Sequence, residues 1–103
     1  PVIIVARPGL GTINHTLLTL ETLRARGLNV AGIILNDYPS KPSLAERTNP
    51  DVIRKYADAP LLGIVPHLEG LCVSSRKWEG LEEAIERAID VDTLTATLRR
   101  MSC

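Results

Sequence analysis

Arg7-Pro8-Gly9-Leu10-Gly11-Thr12-Ile13-Asn14-His15-Thr16-Leu17-Leu18-Thr19-Leu20-Glu21 is the stretch from which the fold is read. Ahead of it, Val2-Ile3-Ile4-Val5-Ala6 is continuously apolar and β-branched, the pattern of a strand covered on both faces. Pro8, Gly9 and Gly11 make the next segment a loop. Thr12 or Asn14 can cap a helix in which Ile13, Leu17, Leu20 and Leu23 keep helical spacing and Leu18 widens the stripe. Gly27 ends that helix after Arg24 and Arg26, whose charges suit its negative end. A strand, a glycine turn and a helix N-terminus present backbone N–H groups to an anion. From the residues alone, an ordinary capped helix after a glycine turn is the preferred reading of the stretch.

Working outward, Leu28 to Leu35 reads as a second strand, with Gly32 marking a close approach by another group. Asn36 and Asp37 follow it. Tyr38 to Thr48 reads as a polar loop, and Asn49-Pro50-Asp51 as the start of a helix through Val52, Ile53 and Tyr56. Pro60 stops that helix, and Leu61 to Val65 forms a third strand ending at Pro66-His67-Leu68. Residues 69–77 have no clear pattern. Trp78 to Ile89 is helical, with Leu81, Ala84, Ile85, Ala88 and Ile89 on one face and Trp78 in the core. Asp90 or Asp92 caps a last helix through Leu94, Leu98 and Met101.

This alternation predicts an α/β fold, a three-layer arrangement in which helices flank a parallel sheet. Ligands then sit beyond the carboxyl ends of the strands, where residues 7–14, Asn36-Asp37 and Pro66 to Leu68 gather. Three parallel strands leave two apolar edges open, so the sheet is expected to be completed by other polypeptide. A strand entered one residue after Pro1 carries the same expectation, that the N-terminus is separated from preceding sequence.

The chain has 103 residues, enough for one small domain or a portion of one. Twelve Lys plus Arg balance twelve Asp plus Glu, which gives no attraction to nucleic acid or an anionic membrane. No apolar run approaches the roughly 18 residues of a transmembrane helix. Cys72 and Cys103 show no metal-ligand spacing, so free thiols and a cytoplasmic setting are expected.

The run Gly9-Leu-Gly-Thr-Ile-Asn-His15 strongly resembles the dethiobiotin synthetase family. The likeness continues through residues 1–6, Gly27 to Asp37 and Ala59 to Leu68, so that 1–68 matches and 69–103 is a helical extension. The resemblance implies a P-loop NTPase-type domain that works as a homodimer. It implies a ligase that uses ATP and Mg2+ to join carbon dioxide to 7,8-diaminononanoate and close a ureido ring. No Gly-x-x-x-x-Gly-Lys-Ser/Thr occurs in these residues. The chain is therefore expected to be the C-terminal half, inactive alone and without catalytic residues or metal ligands of its own. Its partner would be a missing N-terminal half.

The resemblance also assigns residues. Gly11, Thr12, Ile13 and Asn14 would receive the substrate's distal carboxylate, where unpaired amides and the helix dipole favour an anion. Asn36, Asp37, Pro66, His67 and Leu68 would bind ATP, Asn36 at the base edge, since an amide both donates and accepts. The plainer reading of Asn36-Asp37 is a strand-ending turn. His15 is expected to be a packing or capping residue, and no partner-subunit tyrosine carries over near Thr48 or Asn49. Two rivals remain: a related P-loop amide-forming domain of the cobyrinate-amidation kind, and a non-enzymatic module derived from the P-loop fold.

Overall fold

The computed structural model describes residues 1–101. Three strands, β1 (Val2–Ala6), β2 (Val30–Tyr38) and β3 (Leu61–Pro66), form one parallel sheet in the order β1-β2-β3. Between them run α1 (Thr12–Ala25) and α2 (Leu44–Tyr56), followed by α3 (Leu81–Ala88) and α4 (Val91–Met101). Successive side chains of a strand point to opposite faces. Ile4, Ile33 and Leu35 accordingly join Leu20 of α1 and Ile53 of α2 in one core. Ile34, Leu62 and Val65 pack on the other side against Ile85, Ala88, Ile89 and Leu94. The expected three layers are present.

The coverage is uneven. α3 and α4 lie over β2 and β3 only, so Ile3 is 37% and Val5 63% exposed. β1 is thus not covered on both faces, because nothing among the described residues lies over its second one. Both edges were expected to be open, yet β3 has a partial neighbour. Gly63 bridges Ile89 antiparallel, and the Asp90 N–H donates to the Leu62 carbonyl at 2.9 Å. β1 pairs on one side only.

Local details also differ from the sequence reading. Neither Thr12 nor Asn14 caps α1; Gly11 does, at φ 94 and without a side-chain bond. Thr12 points inward instead, 3.5 Å from Thr16 across one helical turn. Leu18 does not widen the buried stripe and is 53% exposed. The helix closes as expected at Gly27 (φ 72), where the Gly27 and Leu28 amides donate back to the Arg24 and Leu23 carbonyls.

The stretch read as a long polar loop is largely α2. Ser43 and Glu46 form a reciprocal capping box that starts the helix six residues before Asn49. Asn49 and Pro50 are therefore mid-helix and buried. A helical proline cannot bond the carbonyl four residues earlier. That carbonyl belongs to Glu46, and the Tyr38 hydroxyl donates to it at 3.0 Å. Trp78 is outside the core at 53% exposure, and α3 begins after Gly80. Asp90, not Asp92, caps α4: the Thr93 N–H and hydroxyl both donate to its carboxylate. These bonds hold the Asp90 carboxyl below its ordinary range.

Candidate functional site

The carboxyl end of β1 passes into the loop of Arg7 to Gly11, and four hydrogen bonds fix its shape. Thr12 N–H donates to the Gly9 carbonyl at 3.2 Å, and His15 N–H donates to the Gly11 carbonyl at 3.1 Å. Asn49 of α2 donates from Nδ2 to the Pro8 and Gly9 carbonyls at 2.8 and 3.0 Å. With Thr12 and His15 engaged, Ile13 and Asn14 are the open amide donors of the first turn. A cavity of about 620 Å³ opens beside this turn. Its walls include Arg7, Pro8, Gly9 and Leu10, and Thr12, His15, Thr16 and Thr19 of α1. Asp37, Pro39 and Glu46 close the far side.

The four residues assigned to the carboxylate share this helix start but not one environment. Gly11 is the cap and Thr12 lines the cavity, whereas Ile13 packs against the core. Asn14 is exposed and outside the cavity wall. Its amide, not its side chain, is the group nearest the expected role.

The second group of residues meets where β2 and β3 end. Tyr38 pairs with Pro66, and the His67 N–H donates to the Tyr38 carbonyl at 2.9 Å. β2 runs through Asn36 and Asp37, so the pair lies within the strand and not in a turn after it. Asp37 has φ 62, a left-handed conformation at an irregularity of the β2–β3 register. Its Oδ1 lies 2.5 Å from His67 Nδ1. Asp37 and His67 line a smaller cleft of about 220 Å³ with Pro39, Ser40 and Glu69. Asn36, Pro66 and Leu68 line neither cavity.

Sequence reasoning missed Asn49 as the clasp of the first loop, and His15, expected as a packing or capping residue, is exposed on the cavity wall. The Thr12, Thr16 and Thr19 spacing was the available signal for the cavity side of α1, which these residues line with His15; nothing local pointed to Asn49. Cys72 is a free thiol, and the Ser74 and Ser75 hydroxyls bonded to it pull its pKa down to about 7. Cys103 lies outside the described residues. Among them no three His, Cys, Asp or Glu side chains gather as a metal site, and no helix is long and apolar enough to cross a membrane.

An α/β sheet with two neighbouring cavities at its carboxyl edge defines the class, and the model of the AAA domain family matches residues 1–74. The chain belongs to that family. It is similar to the ATP-dependent dethiobiotin synthetase BioD of Bacillus licheniformis, 52% identical over 69 residues, which are 67% of this chain and 29% of that protein. The same-named protein of Bacillus velezensis is 47% identical over 93 residues, 90% of this chain and 38% of the relative. That of Mycolicibacterium smegmatis is 41% identical over 95 residues, 92% and 40% respectively. The resemblance read from the sequence is therefore upheld. The chain spans 29 to 40% of the length of these relatives.

Proposed function

We propose that this chain is the portion of a dethiobiotin synthetase that positions 7,8-diaminononanoate and the base of ATP. The observation that carries the reading is that Asp37 and Pro39 line both cavities. Two ligands held there would lie side by side, as phosphoryl transfer from one to a carbamate on the other requires. The substrate's distal carboxylate sits at the start of α1, against the Ile13 and Asn14 amides with Gly11 and Thr12 below. Arg7 and His15 are on the same wall. An anion in such a place gains roughly 0.3–1 kcal/mol when exposed, and more when partly buried. Fixing the end remote from the reacting amines sets the register of the substrate without joining the chemistry.

The base of ATP occupies the cleft formed by Asp37 and His67, with Asn36, Pro66 and Leu68 in the adjoining strand ends. The polar lining of the cleft suits a base; no Lys or Arg there would hold a triphosphate. When bound, ATP supplies the phosphoryl group that activates carbon dioxide already captured by a substrate amine. Phosphates and Mg2+ are assigned to the remaining polypeptide, which also completes the sheet at β1, and the working form is a homodimer. The family likeness extends beyond residue 68, and α3 and α4 cover β2 and β3.

Incubating the 103-residue chain with ATP, Mg2+, bicarbonate and 7,8-diaminononanoate tests this. No phosphate release is expected from the chain alone, and release is expected after the remaining N-terminal portion of the Bacillus licheniformis relative is added. Turnover by the chain alone at the intact relative's rate would contradict the proposal.

A further inference from the structure

A carboxylate only accepts hydrogen bonds, so the 2.5 Å contact between Asp37 Oδ1 and His67 Nδ1 places the hydrogen on Nδ1. In neutral imidazole the other nitrogen, Nε2, is then bare and can only accept. The backbone holds both partners in place. Asp37 is set by its left-handed conformation, and His67 by its N–H bond to the Tyr38 carbonyl. We propose that His67, its tautomer fixed by Asp37, makes this cleft select a nucleobase bearing an exocyclic amine over one bearing an oxo group at the same position. The inference rests on the nucleotide reading above and assigns the residue that gives that site its selectivity.

The chemistry is a match of donors to acceptors. An exocyclic amine donates to the bare Nε2, whereas an oxo oxygen meets it lone pair to lone pair. Glu69 adds a second acceptor to the same cleft. The Ser40 hydroxyl is the one side-chain donor left for an oxo group among the residues lining it. One hydrogen bond gained or lost at an accessible site corresponds to a preference of about three- to tenfold.

ATP and ITP differ in this amine-to-oxo exchange and in the hydrogen that N1 of the oxo base carries, and they form the test pair. The 15N-labelled 103-residue chain is titrated with each, and the His67 ring nitrogens are read by NMR at about pH 8, where imidazole is ordinarily neutral. ATP is expected to bind about three- to tenfold tighter than ITP, with the ring hydrogen on Nδ1. His67→Phe, a change at an exposed position, is expected to abolish the preference by weakening ATP binding to about the level of ITP. Asp37→Gly, which suits the backbone angle, is expected to release the ring to mixed tautomers and weaken the preference. A ratio near one, a ring hydrogen on Nε2, or a preference that survives His67→Phe overturns the inference and leaves the base site standing. Binding of neither nucleotide overturns the base site and the inference together.

Discussion

Asn49 ties α2 to the loop that opens the candidate site, and it is buried with both bonds going to backbone carbonyls. Removing the amide leaves two loop carbonyls without their donor, which costs about 1–3 kcal/mol. Asn49→Ala is expected to lower the unfolding free energy measured in urea by that amount, and Asn49→Asp by more, since a carboxylate would face two carbonyl oxygens. Cys72 gives a second test at this scale. With its thiol near 7 under the pull of Ser74 and Ser75, alkylation in a Cys103→Ser background is expected to rise with pH to a plateau just above that value. Ser75→Ala is expected to move the midpoint upward; an unchanged midpoint would contradict the hydrogen-bond account. The start of α1 after Gly11 was legible as a helix N-terminus that presents backbone amides. Site residues were not legible where a distant element supplies the partner. The link from Asn49 to Pro8 crosses 41 positions, and no local pattern encodes it.

α2 shows how local rules compete. Asn-Pro-Asp is a sound helix start in isolation, but Ser43 and Glu46 offer a complete capping box six residues earlier. The longer helix prevails because Ile53 and Ala57 reach the core and the Tyr38 hydroxyl satisfies the carbonyl that Pro50 frees. Ser43→Ala is expected to cost about 1 kcal/mol in thermal or urea unfolding. At the other side of the sheet, an added Cβ on Gly63 would overlap the Ala88 carbonyl and come within 2.9 Å of Ile89 Cα. Backbone cannot step aside as a side chain can. Gly63→Ala is therefore expected to cost about 3 kcal/mol and to loosen α3 and α4 from the sheet. Gly32→Ala meets chiefly the Leu62 side chain, at 2.5 Å, and is expected to cost less. Strand spacing and Gly32 revealed the parallel sheet and its close contact from sequence. The limits of α2 and the exposure of Trp78 depend on tertiary neighbours and were not revealed.

At the scale of the whole molecule, the unequal coverage of the sheet matters most. The open edge of β1, with Val5 exposed and its backbone unpaired on one side, is a template for another strand. The isolated chain is expected to self-associate in sedimentation velocity as concentration rises, and Val5→Lys is expected to reduce this without loss of stability. The same edge borders the larger cavity through Ile4, Val5 and Ala6, so whatever completes the sheet also completes the site. The central claim, that this chain positions the substrate by its carboxylate, is tested most directly by NMR titration with 7,8-diaminononanoate. The account expects the Ile13 and Asn14 amide resonances to shift with the acid and to stay in place with the matching diamine that lacks the carboxylate. Equal shifts with both compounds, or shifts confined to residues away from the start of α1, would contradict it.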